Sequence, residues 1–158
     1  MRTALATAEF LPSSAVWIYR QMYTPSIDHA LVITNKISNS GTFSHRNIIE
    51  LGAEAYLVRA IRYKLNQYTN YGPPTRFSSK QRSFVKQALI ENKIELLHIH
   101  FGTYAVYFKD ICVELNIPFV VTFHGFDITS AVDRWSSYAK ELTSLFSSAA
   151  FAFVISED

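Results

Sequence analysis

The sequence predicts an α/β fold built on a doubly wound, mainly parallel sheet. From residue 78 onward, short apolar runs typical of strands alternate with helical stretches that have one apolar face. Strands separated by helices pair in parallel through right-handed crossover connections. The chain has 158 residues, of which 49% are apolar and 18% charged, so it is long enough for one globular domain with one core. We therefore expect a single Rossmann-like domain over residues 1–158.

The first half of the chain contains the less regular elements. We expect its strands at residues 3–10, 29–34 and 53–61. A helix is the alternative for the third of these. After the turn LPSS, a short helix is expected over residues 15–22, with Ser13 or Ser14 as its N-cap. Residues 59–76 combine Asn, Tyr, Gly and paired Pro residues, which predicts the least ordered part of the chain.

The second half is more regular. Ser78 and Gln81 form a capping-box pattern, which predicts that a helix begins there. The apolar face of this helix is expected to consist of Phe84, Val85, Ala88 and Leu89. The elements that follow are expected to be strands at 93–101, 119–124 and 151–156 and helices at 103–115 and 133–147. The last strand is so apolar that we expect it to be buried.

Composition and charge exclude several classes of function. A net charge of +2 is too small to indicate dedicated nucleic-acid binding. Cys112 is the single cysteine, which excludes an internal disulfide, and its place on an apolar helix face indicates packing and not nucleophilic catalysis. No apolar run is long enough to cross a membrane, and we expect a cytoplasmic setting. Neither a Walker loop nor a G-x-G-x-x-G motif occurs, so tight nucleotide binding by this domain is not indicated.

Polar residues and glycines follow two consecutive predicted strands. His100 and Gly102 come at the end of one, and His124, Gly125 and Asp127 at the end of the next. In open parallel sheets, ligands bind beyond the carboxyl ends of the strands, near the point where the strand order reverses. The turn EFLPSS after the first strand should face the same crevice. We therefore expect three loops to converge on one ligand site.

The residues of this site differ in what their positions predict. His98 and His100 share a strand face, with His98 deeper as a core residue and His100 at the rim, where it can bind a ligand. His124 is the strongest candidate, because a strand end, a glycine and an acid coincide there. Asp127 either acts on the ligand or caps the following loop or helix. The three histidines with Asp127 form a ligand set that zinc accepts, but His98 should point along the strand wall, so we expect no metal.

Basic and aromatic residues alternate between Arg59 and Lys86. They are Arg62, Tyr63, Lys64, Tyr68, Tyr71, Arg76, Phe77, Lys80 and Arg82. Such a stretch could dock on an anionic membrane surface. Contact with RNA and an ordinary solvated face are the alternatives. His29 and His45 are expected to be ordinary surface or strand-start residues.

Three stretches of the second half resemble a known family. LLHIHFG, IPFVVTFHGFD and RWSSYAKELTSLFSSAAFAFVISED occur in the order seen in the N-terminal domain of family-4 retaining glycosyltransferases, which have the GT-B architecture. The matching motifs are His100-Phe101-Gly102, Ile117 to Asp127, and Val154 to Glu157. In the first loop and helix, the positions that fit the family's pattern are Pro12, Ser14, Trp17 and Gln21. Ala15 and Val16 stand where the family has a glutamate and a threonine.

The resemblance implies transfer of a sugar, with retention, from a nucleotide-sugar donor to a glycan or lipid-linked acceptor, without a metal. It implies that His124 faces the donor sugar and belongs with Asp127 to the catalytic residues. The substrate-binding residues that it implies are His100, Gly102, Gly125, Pro12, Ser13 and Ser14. Stabilisation of the leaving diphosphate would come mainly from a second domain.

The length of the chain bears on this expectation. The donor-binding domain that the resemblance implies is not contained in the 158 residues, so we expect no efficient transfer by this chain alone. It would be a fragment, a truncated chain or a subunit completed by a partner, and its uncovered face could drive self-association. The alternative is a non-catalytic interaction or membrane-docking subunit with the same fold, peripheral at the inner membrane face. A metal-dependent hydrolase is the third hypothesis.

Overall fold

Six parallel strands form one sheet in the computed structural model, which describes residues 1–10, 17–19, 29–39, 47–52, 77–134 and 136–155. The strands are β1 (Thr3–Phe10), β2 (His29–Ile37), β3 (Ile48–Glu50), β4 (Leu96–His100), β5 (Phe119–Phe123) and β6 (Phe151–Val154). Their order across the sheet is β3-β2-β1-β4-β5-β6, and every neighbouring pair is parallel. The α/β, doubly wound, Rossmann-like fold that the sequence predicts is confirmed.

The strand order contains one reversal. From β1 the chain builds outward to β2 and β3, and it then returns to the other side of β1 to build β4, β5 and β6. The boundary between β1 and β4 is therefore the topological switch point, beside which ligands bind in sheets of this type. This boundary fixes the edge of the sheet at which a site is to be sought.

Four helices connect the strands of the second half. They are α1 (Ser79–Glu91), α2 (Gly102–Leu115), α3 (Ser130–Arg134) and α4 (Ser136–Ser148). The predicted capping box is present at α1, where the Ser78 hydroxyl accepts from the Gln81 amide at 3.2 Å and the Gln81 side chain accepts from the Ser78 amide at 3.0 Å. α2 ends at Asn116, whose left-handed conformation terminates the helix before Pro118.

The two faces of the sheet carry different partners. On one face, Ala4 and Ala6 of β1 pack in a core cluster with the buried sides of α1, α2 and α4. On the other face, Leu5 of β1 packs with Ile18, which belongs to the helical residues 17–19. The alternation of one strand between two clusters shows that side chains pack on both faces of the sheet, with helical residues contributing to each cluster.

Several boundaries differ from the prediction. The third strand is found at Ile48–Glu50, whereas the predicted strand at 53–61 and the predicted disorder at 59–76 lie outside the described residues. Of the predicted helix 15–22, residues 17–19 are described and are helical. The predicted helix 133–147 consists of α3 and α4. Phe84 was expected to face the core, but it is 49% exposed, because it lies beside the buried row of α1.

The burial of the last strand was predicted wrongly. All four residues of β6 are exposed, with Phe151 at 68% and Phe153 at 50%. β6 is the edge strand and pairs with β5 alone, so its apolar composition does not bring burial among the described residues. Within the described part of the chain, no helix is long and apolar enough to cross a membrane.

Candidate functional site

The candidate site lies at the carboxyl ends of β4 and β5, next to the switch point. His100 is the last residue of β4 and pairs with Thr122 of β5, and His124 follows the end of β5. The structure brings His100, Gly102, His124, Gly125 and Asp127 to this one edge of the sheet. The predicted site residues Pro12, Ser13 and Ser14 lie outside the described residues.

His100 and His124 are in direct contact. Nδ1 of His100 lies 3.1 Å from Nε2 of His124, and the two rings are nearly parallel, with an angle of 22° between their planes. His100 is fully buried, whereas His98 and His124 are only partly buried. The prediction that His98 lies deeper and His100 at the rim is therefore wrong, because the end of β4 is covered by the rings of Trp17 and His124. The His100–His124 pair therefore connects the interior of the sheet with the rim of the site.

Two aromatic residues contact this pair. The centroid of the His124 ring lies 4.3 Å from that of Phe101 and 4.7 Å from that of Trp17. Trp17 also approaches His100 edge-on, with 5.6 Å between the centroids. The candidate site thus has apolar walls around its imidazoles, and residues 17–19 contribute one of them.

Asp127 joins the two loops of the site. Its carboxylate is fully buried, and it accepts from the backbone amide of Gly102 at 2.6 Å and from that of His124 at 2.7 Å. Gly102 is the first residue of α2, so the negative charge lies at the positive end of the helix dipole. The cap of the following loop or helix that the sequence leaves open for Asp127 is not what the structure shows, because both amides precede Asp127 in the chain and one of them begins α2. In this structure Asp127 positions the backbone on which His124 is mounted.

The two glycines of the site meet different requirements. A side chain at Gly102 would overlap the Phe123 ring and would lie 2.5 Å from Oη of Tyr138, so close packing requires glycine there. Gly125 has φ of +78° and open space around it, so its requirement is conformational. The sequence indicated Gly102 as a substrate-binding residue and gave no sign of this contact with the core.

Phe101 has an unusual backbone conformation. Its φ is +71° and its ψ is 119°, a combination that bulky residues rarely adopt. Its amide donates to the carbonyl of Thr122 at 2.9 Å, which holds this conformation between His100 and Gly102. The sequence carries no local signal for such strain, and we did not predict Phe101 as a site residue.

Four histidines follow one another across the same face of the sheet. His98 and His100 share that face as predicted, with 4.5 Å between their centroids, and His29 lies 6.2 Å from His98. His29 begins β2, as expected of a strand-start residue, and it is only 5% exposed, whereas His45 lies outside the described residues. An irregularity in the register between β1 and β2 pairs Thr3 with His29 and Ala4 with Leu31. This extra residue turns His29 toward the histidine face.

Burial keeps the imidazoles of His98, His100 and His124 neutral. It lowers the pKa of His98 to about 4, and burial together with the neighbouring imidazoles lowers the pKa of His100 to about 2. Burial also lowers the pKa of His124, against the opposing effect of the Asp127 charge. At neutral pH these three imidazoles therefore offer hydrogen-bonding groups without positive charge.

Three buried polar atoms of the site have no hydrogen-bond partner among the described residues. They are Nε2 of His100, Nδ1 of His124 and Oη of Tyr138. A buried polar group without a partner costs on the order of 1–3 kcal/mol. His98, in contrast, has a partner in the Thr122 hydroxyl at 2.8 Å. Two of the three atoms without a hydrogen-bond partner thus belong to the His100–His124 pair, and the third, Oη of Tyr138, lies next to Gly102.

The remaining candidate groups, Cys112 and the basic stretch, make contacts that stabilise the fold. Cys112 is buried on α2, and burial raises the pKa of its thiol to about 12, which makes it unreactive. In the described ranges, no group of three or more His, Cys, Asp or Glu side chains is arranged to hold a metal ion. Of the basic stretch, Arg82 and Lys86 both pair with Glu114, which ties α1 to α2. Phe77 packs on Phe108, and residues 59–76 lie outside the described part.

A scan against protein-family models gives no match, and a search of curated proteins gives none either.

Proposed function

We propose that this chain is the acceptor-side domain of a retaining glycosyltransferase of GT-B architecture, which moves a sugar from a nucleotide-sugar to a glycan or lipid-linked acceptor. One observation carries the proposal. Nδ1 of His100 and Nε2 of His124, from separate strand ends, lie 3.1 Å apart beside the switch point of a doubly wound sheet. The sequence resemblance required these two residues to be neighbours in one crevice, and widely separated histidines would have contradicted it.

The residues of the site divide the work in this proposal. His124 contacts a sugar at the rim, and the turn at Gly125 lets that sugar approach the backbone. Asp127 holds the amide of His124, so it acts through the position of His124. A neutral imidazole pair cannot neutralise a leaving diphosphate, so this charge must be stabilised by basic groups or backbone dipoles of another domain. The reaction therefore needs a second, donor-binding unit.

Binding measurements test the proposal. We expect the ring resonances of His124 to shift on titration with UDP-glucose, GDP-mannose or polyprenyl-phosphate-linked sugars. His124→Ala should weaken the binding of the effective compound about tenfold, the effect of losing roughly one hydrogen bond. The control is Glu91→Ala on α1, which lies at the other face of the sheet and should leave binding unchanged. If no sugar compound perturbs His124 in the folded protein, the proposal fails.

One observation favours the second candidate, a non-catalytic interaction or membrane-docking subunit. The edge strand β6 and Ile155 after it expose an uncharged apolar row, of which Phe151, Phe153 and Val154 are 50–68% exposed. Exposed edges of this kind mark sites of association. Light scattering at increasing concentration and flotation with phosphatidylserine vesicles test it. Phe153→Lys should abolish self-association or vesicle binding. If the wild-type protein stays monomeric and does not bind the vesicles, this candidate is excluded.

A further inference from the structure

The contact between His100 and His124 has two possible proton arrangements. A neutral imidazole carries one N–H and one bare nitrogen, so one ring donates in this contact and the other accepts. In the first arrangement Nδ1–H of His100 donates, which leaves Nε2 of His100 bare and puts a hydrogen on Nδ1 of His124. In the second arrangement Nε2–H of His124 donates, and the two outer nitrogens exchange their roles.

The surroundings do not select between these arrangements. The outer nitrogens, Nε2 of His100 and Nδ1 of His124, are both buried and have no hydrogen-bond partner in the described ranges. Each arrangement therefore leaves one N–H and one lone pair unused. The rings that contact His124, those of Trp17 and Phe101, offer no strong acceptor to its edge. A ligand that bonds to Nδ1 of His124 would decide which arrangement is occupied.

We propose that His100 is a positioning residue for His124, which lets Nδ1 of His124 either donate a hydrogen bond to an uncharged hydroxyl or accept one from it. The exchange between arrangements moves a proton from Nδ1 of His100 to Nε2 of His124. When the site opens locally, Nδ1 of His124 releases one proton to water, and Nε2 of His100 takes up one proton from water. The pair holds two protons and no net charge in both arrangements.

The ligand class follows from the charges around the pair. Burial strongly disfavours an imidazolium at His100, so the pair presents no cation to a phosphate. The carboxylate of Asp127 is bonded to the amide of His124, and its negative charge opposes a second anion there. A sugar hydroxyl fits a site with apolar walls and a neutral nitrogen, Nδ1 of His124, that can either donate or accept a hydrogen bond. The identification as a sugar rests on the proposed function, whereas the coupling of the two rings rests on geometry alone.

Nuclear magnetic resonance of the imidazole nitrogens tests the coupling. With ¹⁵N-labelled histidine, we expect both nitrogens of His124 to show shifts between those of an N–H and a bare nitrogen, which indicates a mixture of tautomers. His100→Asn supplies an amide that can donate or accept, so the mixture should persist. His100→Leu removes the partner of Nε2 and should change the tautomer ratio of His124. A tautomer ratio in His100→Leu equal to that of the wild type would overturn the proposal. A purely structural role of His100 would also give the asparagine and leucine variants the same ratio, whereas the proposal expects the wild-type mixture in the asparagine variant alone.

The ligand class is tested on the same spectra with two probes, methyl α-glucopyranoside and inorganic phosphate. We expect the glucoside to move Nδ1 of His124 toward one tautomer in the wild type and in His100→Asn, and phosphate to have no effect. A response to phosphate, or to neither probe, overturns the ligand class. If His100→Leu does not fold, the spectra of the wild type still test the coupling. A single tautomer at His124 that does not change on addition of the glucoside would contradict it. A tautomer mixture that responds to the glucoside, without binding of UDP-glucose, GDP-mannose or polyprenyl-phosphate-linked sugars, would count against the proposed function alone.

Discussion

Asp127 shows how one buried side chain organises the candidate site. Its two oxygens accept from amides that belong to different loops, at Gly102 and His124. A carboxylate is suited to this position because both of its oxygens are acceptors. The side chain therefore controls both the start of α2 and the place of His124, although it lies too deep to reach the surface itself.

Asp127→Asn should destabilise the protein by on the order of 2–3 kcal/mol. An asparagine has one acceptor oxygen, so its NH₂ group would face one of the two amides and leave that amide unpaired. Urea unfolding measures the loss, and the amide resonances of Gly102 and His124 should shift most. Asp133→Asn is the matched control, since Asp133 is exposed on α3 and its exchange should cost less than about 0.5 kcal/mol. Equal stability of the two variants would contradict the bridging role.

Gly102→Ala should be destabilising by about 3 kcal/mol, because the added methyl group overlaps the buried ring of Phe123. Gly125→Ala has free space and should cost about 1–2 kcal/mol for its positive φ. Thermal and urea unfolding compare the two. Phe123→Leu in the Gly102→Ala background should recover part of the loss, which a double-mutant cycle reveals. If the two changes prove additive, steric overlap is not the cause.

At the scale of the element, β4 is shorter than the predicted strand 93–101, but its side-chain alternation was predicted correctly. Alternation along β4 correctly placed His98 and His100 on one face, opposite Leu97 and Ile99 in the main core cluster. What alternation could not indicate was the approach of His29, because that depends on a register irregularity between β1 and β2. Pairing between distant segments thus completed a row of histidines of which the sequence showed only a part.

The histidine face should make stability depend on pH. His98 has a folded-state pKa of about 4, below the ordinary 6.5, so its neutral form stabilises the fold. This contribution is complete above pH 6.5 and is lost as the pH falls toward 4, by on the order of 3 kcal/mol. His100, with a pKa of about 2, extends the loss to lower pH. Urea unfolding should therefore show little change in stability from these groups between pH 7.5 and pH 6.5, and a steady fall from pH 6.5 to pH 4.

His98→Gln provides the control for this pH dependence. Glutamine does not titrate and retains a polar group for the Thr122 hydroxyl, which now lies 2.8 Å from Nε2 of His98. The fall in unfolding free energy between pH 6.5 and pH 4 should become shallower in this variant, while stability at pH 7.5 changes less. The same slope in wild type and variant would mean that His98 is already protonated in the fold or titrates normally.

The strand order predicts a gradient of stability across the whole molecule. β1 and β4 lie at the centre of the sheet, with strands on both sides and helices over them, whereas β6 has one neighbour and exposed side chains. Local opening therefore costs least at β6. In native-state hydrogen exchange, the amides of Leu5 and Ile99 should be protected longest, and those of β6 should exchange orders of magnitude faster. Protection of β6 equal to that of β4 would indicate that something covers this edge in solution.

The sequence by itself determined the parts of this protein that depend on neighbouring residues. Strand alternation, the capping box at Ser78 and the stop before Pro118 are encoded within a few positions, and the α/β class follows from their succession. The carboxyl-end rule then placed His100 and His124 at one edge of the sheet.

Only the tertiary structure decided what these residues contact. It assigned the carboxylate of Asp127 to two amides, required glycine at position 102 for the Phe123 ring, and left β6 exposed at the edge. Such facts depend on strand order and register, which join segments far apart in the chain. The free energies that select them come from packing and from buried hydrogen bonds, and no local pattern of residues contains these.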